Sequence, residues 1–482
     1  MKKNIKTYFV LIASMALCHG CSDFLDEAPE SALTSSSFFQ SENDAVAAVT
    51  GVYSRLTNRF GAFQRGLYNR NHFWVFQNAG NETRGRGGTR PNINNFTVDA
   101  TESLTTDTWG ASIITISYIA TTIEGISSVP DMSQERKDEL IGELKFVRAL
   151  LYFNLVQAFG PTPLIVDAPK VGDDFNVPRR TESVIYNQIM ADLIDARAAL
   201  PTPGEQQIGR PTNGSASALL GKVYLTLKMY AESEAELKKV IDSGDYVLLD
   251  FYGDLWRASN DNNQEYIFSI QHTTDVNGSY SNTMYGVQGL NGQPFGGFGT
   301  VQVNLSYAES FEVGDIRREW TVIEEDIDGN PIAIDRLGGR KYVELEDDRF
   351  RLVNNSDKDW VVLRYADVLL MYAEVLNELG NTNEALPYLN AVRTRARNGD
   401  PLANPQNYAD GSLSQAQFRD AVLQERQWEL GTEGHVFMDL KRTDRLVSSM
   451  AELGVTVDGN DYVFPLPQAH IDSNPNLINI ED

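Results

Sequence analysis

The chain has 482 residues, enough for about three ordinary domains or for one extended stack of helical hairpins. Its 42% hydrophobic and 22% charged residues can build a sizeable core and exclude general disorder. Lysine and arginine number 41 against 66 acidic residues, and the resulting charge of −25 argues against nucleic acid as a partner, since it repels phosphate backbones.

Lys2, Lys3 and Lys6 precede an apolar run from Tyr8 to Leu17, followed at once by Cys18-His19-Gly20-Cys21. The run is about ten residues, half of the roughly 20 that a spanning helix needs, so residues 1–20 read as an export signal and not as a membrane span. Gly20 supplies the small residue before Cys21, which makes Cys21 the expected lipid anchor; Cys18 follows the bulkier Leu17. Acyl chains at about 0.8 kcal/mol per buried methylene would tether the mature protein. Its charge would then be −28, because the signal removes three lysines and no acids. No cysteine follows Cys21, so disulfide frameworks, cysteine-based zinc clusters and thiol nucleophiles are excluded from the rest of the chain.

Apolar residues at spacings of three and four predict helices over Ser41 to Leu56 and over Gln134 to Phe159, the second stopped by Gly160-Pro161. Ile185 to Leu200 reads as another, and Ser215 to Tyr230 with Glu232 to Ile241 as a close pair. The second half repeats the theme in Arg364 to Leu379, Glu384 to Arg397 and Ser414 to Leu430, with Gly380-Asn381 turning between the first two. Leu220-Gly221 with Tyr224 and Tyr230, and Ala373-Glu374 with Gly380, Ala385 and Leu389, look like tetratricopeptide hairpins. Residues 60–108 and 244–362 are instead glycine-, asparagine- and aromatic-rich, with short strand-like runs such as Tyr266 to Ile270.

Three further patterns carry possible chemistry. Asp326-Ile327-Asp328-Gly329-Asn330 resembles the start of a calcium loop, but Pro331 occupies the place where such a loop needs glycine, so a hairpin turn is expected. Glu425, Glu429 and Glu433 lie four apart on one helical face, as paired carboxylates for glycoside cleavage would. Arg426, Lys441 and Arg442 stand close by in sequence, and charge pairing between packed elements accounts for the carboxylates without catalysis. No nucleophile elbow, zinc-binding His pair or phosphate loop occurs, so the chain is read as a non-enzyme with no cofactor or metal.

Four ordered blocks carry a resemblance. They are Glu143 to Ala149 running on through Tyr152-Phe153 to Pro163-Leu164; Leu363 to Leu370 with Tyr372-Ala373-Glu374; Glu425 to Leu430 with Glu433-Gly434-His435 and Asp439 to Arg442; and Phe464-Pro465-Leu466-Pro467 with Asn474-Pro475. Together they resemble the SusD/RagB family of outer-membrane nutrient-binding lipoproteins of Bacteroidetes, from Cys21 to about Asn479. Val436, His470 and Asn479-Ile480 depart from its usual residues.

The resemblance implies a mainly α, tetratricopeptide-like scaffold with long irregular loops and minor β-strands forming the ligand-binding face. The organisation expected is a signal at 1–20, a lipidated tether at 21–40 and a single domain at 41–482. Its helical frame covers 41–59, 109–243 and 363–450, and its binding insertions cover 60–108 and 244–362. The implied function is capture of oligosaccharides at the cell exterior and delivery to a SusC-like TonB-dependent transporter. Peptide uptake, as in the RagB branch, is the first alternative, and glycoside hydrolysis a more distant one. Stacking on sugar rings and bonding to hydroxyls call for aromatic, amide and guanidinium groups. The insertions offer Tyr68, Trp74, Asn78, Arg84 and Tyr285 as the expected contacts, with Arg70, Phe73 and Glu82 in the first, and Tyr280, Asn282, Asn291, Phe295 and Phe298 in the second, as further choices. Trp320, beside Asp315 and Arg317, is a lesser candidate for the site and is read first as structural.

Overall fold

The computed structural model describes residues 38–57, 67–68, 72–77, 79–85, 91–170, 172–173, 176–273, 299, 301–326, 329–343, 356–458 and 462–482. The signal run and Cys21 lie outside them. The chain begins with α1 (Glu42–Thr57) and α2 (His72–Gln77), then strand β1 (Thr83–Gly85), and then two 26-residue helices, α3 (Ser103–Ser128) and α4 (Gln134–Phe159). After β2 (Arg179–Arg180) come α5 (Glu182–Ala199), α6 (Asn213–Thr226) and α7 (Tyr230–Ser243). The middle of the chain holds β3 (Tyr266–Ile270), β4 (Val301–Val303), α8 (Arg317–Thr321), β5 (Val322–Ile323), β6 (Gly338–Gly339) and β7 (Trp360–Arg364). Helices α9 (Tyr365–Glu378), α10 (Thr382–Ala396), α11 (Gln415–Leu430), α12 (Val436–Arg442) and α13 (Gln468–Ser473), with β8 (Ile480–Glu481), complete it.

The fold is mainly helical, and consecutive helices pack as antiparallel neighbours do. α3 lies on α4, α4 on α5, α5 on α6, α6 on α7, α7 on α9, and α9 on both α10 and α11. Each buries its apolar stripe only through the next, so the frame is one continuous core from Val49 to Leu446. Gly221 sets the α6–α7 approach: a Cβ there would fall 2.7 Å from the Leu237 side chain. At the end of α4, Gly160 takes φ +70°, the conformation that stops the helix where the sequence places it.

Helix α3 is not foreseen by apolar periodicity. Twelve of its 26 residues are Thr or Ile, poor helix formers because the branch at Cβ restricts χ1. Its hydroxyls turn back onto the helix: Thr108 donates to the Leu104 carbonyl, Ser112 to Thr108, Thr115 to Ala111 and Thr122 to Tyr118, at 2.7–2.8 Å. Buried on one side by α4, such a helix holds through packing and not through propensity. Among the described residues no helix is long and apolar enough to cross a membrane.

Candidate functional site

The two loop-rich insertions are stitched together by a short ladder. β1 pairs antiparallel with β4, Arg84 facing Gln302 and Gly85 facing Val301, so the last residue of β1 stands beside the first of β4. β4 continues to β6 and β6 to β5, which gives a four-stranded sheet with β1 at its edge. Amide side chains fix β1 in place. Asn94 donates to the Thr83 carbonyl at 3.0 Å and accepts from Gly85 N–H, while Asn304 donates to the Asn81 and Thr83 carbonyls at 2.8 and 3.2 Å. Gln427 of α11 donates to the Asn81 side chain at 2.6 Å, which ties the turn before β1 to the helical frame. Asn304→Ala removes two of these bonds around a buried turn. We expect a loss of roughly 1–3 kcal/mol in chemical denaturation, and an unchanged midpoint would show that the turn needs no such support.

The expected contact residues separate on this scaffold. Arg84 stands at the ladder, exposed, with one of its five donors bonded to the Asp335 carbonyl at 2.9 Å. Trp74 is on α2, two turns of chain before β1; its side chain lies outside the described residues, as do Asn78, Tyr285, Arg70 and Phe73 and the second-insertion choices Tyr280, Asn282, Asn291, Phe295 and Phe298. Tyr68 requires a correction: it is 2% exposed, its hydroxyl accepts from Asn154 at 2.7 Å and its ring sits 6.4 Å from that of Trp360. Burial holds its phenol protonated well above the usual range. It is a core tyrosine and offers no face to a ligand in solvent. Glu82 is likewise interior, fully buried, and desolvation pushes its carboxyl up to about 8 despite the attraction of Lys341.

Glu425 and Glu429 on α11, with Glu433 in the turn just beyond its end, are the centre of a buried ionic network. Glu425 accepts from Arg317 and Arg393 at 2.6 and 2.7 Å, and Glu433 from Lys341 at 2.7 Å and Arg364 at 2.9 Å. Glu429 bonds Arg364, Arg395 and Arg317. All three carboxylates are 0–2% exposed, so no sugar or attacking water reaches them and the hydrolytic reading of this row is removed. The partners expected from sequence pair elsewhere: Arg426 bonds Asp439, Arg442 bonds Glu374, and Lys441 donates to the Gln157 carbonyl. At the place of the expected turn, Asp326 N–H is bonded to the Asn330 carbonyl and Gly329 takes φ +78°, while Asp328 lies outside the described residues.

Trp320 is structural. Arg340 covers one ring face at 4.5 Å, Phe251 packs edge-on at 5.8 Å, and a Cβ on Gly253 would fall 2.4 Å from the indole. The cleft of about 690 Å³ beside it is bordered by the ion pairs Arg318–Glu324 and Arg340–Glu319 and has no open aromatic face for stacking.

Comparison with known proteins agrees with the fold. The model of the SusD family matches residues 337–481, and that of the family described as starch-binding, associating with outer membrane, matches residues 23–225. SusD-like protein P25 of Formosa agariphila is 26% identical over 528 residues, covering 99% of this chain and 98% of its own. A SusD-like protein of Bacteroides ovatus is 26% identical over 438 residues, covering 82% of this chain and 77% of its own. Among solved structures, a laminarin-binding SusD-like protein aligns with TM-score 0.76 at 26% identity over 92% of this chain and 99% of its own. Surface glycan-binding protein A of Bacteroides fluxus aligns with TM-score 0.76 at 21% identity over 90% and 97%. Over nearly its whole length the chain is similar to SusD-like proteins.

Proposed function

We propose that this protein captures oligosaccharides at the cell exterior, held to the outer membrane by a lipid on Cys21, and hands them to a SusC-like TonB-dependent transporter. The observation that supports this reading is the β1–β4 ladder, which gathers both ligand-binding insertions at one sheet edge with an exposed Arg84 between them. Trp74, Asn78 and Tyr285 belong to the segments that this ladder joins, and an aromatic face with amide and guanidinium donors suits a neutral sugar chain. The ligands in the names of the similar structures, laminarin and surface glycan, point the same way.

Peptide capture by strand addition would use free backbone groups along the edge strand. On β1, Asn94 already takes up the Gly85 N–H and the Thr83 carbonyl, which disfavours that mode. Calorimetry with laminari-, malto- and xylo-oligosaccharides against a peptide panel decides between the two: saccharide binding is expected, and binding of peptides alone overturns the proposal. Trp74→Ala is expected to weaken saccharide affinity by roughly tenfold, the loss of about 1.4 kcal/mol of stacking, with the melting temperature retained. Equal affinity would remove Trp74 from the site. Co-purification with the TonB-dependent barrel encoded beside it tests delivery, and Cys21→Ala is expected to release the protein from the membrane fraction.

A further inference from the structure

A second cavity lies on the helical frame, between the loop before α6 and the start of β3, and shares no residue with the ladder. Its volume is about 210 Å³, below the ~300–1,000 Å³ of pockets that enclose drug-sized molecules, which suits a single ring and not a chain. Its rim presents the exposed side chains of Gln207, Ile208, Asn262 and Gln264.

The wall is held in a fixed arrangement. Asn262 and Gln271 exchange amide bonds, Nδ2 to Oε1 at 3.0 Å and Nε2 to Oδ1 at 3.1 Å. Both amides also donate to the buried Asp359 carboxylate, at 3.3 and 2.7 Å. The facing loop sits directly on this pair: Gly209 has φ +85°, and a Cβ there would fall 2.6 Å from Gln271 Cγ. Thr212, which begins α6, is bonded to the Tyr246 hydroxyl at 2.8 Å and closes the inner end.

Charge selects the ligand class. Arg210, the cation in the lining, is bonded to Glu143 at 2.7 Å and lies over the Tyr53 ring, so its charge is already compensated, while Asp245 adds an exposed carboxylate. Anions are therefore disfavoured. Asn262 is engaged by Gln271 and Asp359, and Gln207 accepts from Arg210 at 3.1 Å, so the Gln264 amide is the rim group that offers a ligand both a donor and an acceptor, the pairing that a sugar hydroxyl offers in return. Ile208, 76% exposed at the rim, supplies an apolar face for the C–H side of a ring.

We propose that this amide-lined cavity is a second ligand site, taking one neutral pyranose unit of a glycan. It does not rest on the reading of the ladder. The test is methyl NMR of the full mature chain, following the Ile208 methyl during titration with maltohexaose and laminarihexaose. A saturable shift is expected in the wild type and equally in Trp74→Ala, so failure of the ladder reading leaves this result standing. Gln264→Ala, which removes an exposed amide with no bond to the frame, is expected to weaken the titration roughly fivefold, the loss of one hydrogen bond, at unchanged melting temperature. Absence of any Ile208 shift with both saccharides, a shift that Gln264→Ala leaves unaltered, or an equal response to a tripeptide overturns the proposal.

Discussion

Glu429→Gln is expected to destabilise the protein by about 3–5 kcal/mol, because it removes one charge from a buried, balanced set. Around α11, five cations (Arg317, Arg364, Arg393, Arg395 and Lys341) meet five carboxylates (Glu265, Asp315, Glu425, Glu429 and Glu433), all within 5% of full burial. Glu429 alone bonds three arginines. Those guanidinium groups hold its carboxyl well below the usual carboxylate range against the opposing effect of burial. A glutamine keeps the shape and leaves an excess positive charge with no water to solvate it. Urea denaturation measures the effect as a lower midpoint at unchanged slope. A loss below about 1 kcal/mol would mean that the network relaxes or hydrates and does not act as a unit.

The network also shows where the sequence is informative and where it is not. The four-residue spacing places Glu425 and Glu429 on one face of the helix, which is capped by Ser414 with Gln417, but the helix ends at Leu430 and Glu433 lies in the turn beyond it, where it still joins the same network. Partner identity is not legible, because Arg317 and Glu425 are 108 residues apart and meet only through the packing of α8 on α11. Long helices with apolar stripes are legible for the same local reason: α4 spans Gln134–Phe159 as its periodicity says. Helix α3 is not, since its Thr and Ile residues argue locally for strand and its hydroxyl-to-carbonyl bonds appear only once it is folded. Insertion 60–108 is therefore shorter at its end than composition suggests, with α3 beginning at Ser103.

The candidate site divides along the same line. Arg84 is exposed on the edge strand. Tyr68 shares the aromatic character of its loop, but composition cannot tell a ring that packs on Trp360 from one that faces solvent. The amide groups that fix β1, Asn94 and Asn304, were not among the expected residues. Asparagine carries no periodic signal, and its role emerges only when β1 and β4 come together.

Glu82→Gln is expected to stabilise the protein at pH 7 by up to about 3 kcal/mol. Glu82 sits one residue before β1 with both carboxyl oxygens buried, and Gly80 packs so closely that a Cβ there would fall 2.0 Å from Oε2. Burial raises the folded pKa to about 8 from an ordinary value of 4.5. Above pH 4.5 the unfolded chain gives up this proton while the folded chain keeps it, so stability falls as pH rises, until the folded group ionises near pH 8. Asp359, raised by burial to about 7, acts in the same direction up to that pH. His272 and His435, lowered by burial to about 4, act in the opposite direction, but only below their ordinary value of 6.5. The network carboxylates Glu429 and Glu433, held low, lose their contribution only under more acid conditions. Between pH 7 and 8 Glu82 lowers stability as pH rises, while Lys341 and Lys441, lowered by burial to about 8, begin to lose protons in the fold and act in the opposite direction. Glutamine cannot ionise and both lysines remain in the variant, so over that interval the wild type's melting temperature should fall relative to the variant's. Parallel curves for the two proteins would show that Glu82 is already ionised in the fold.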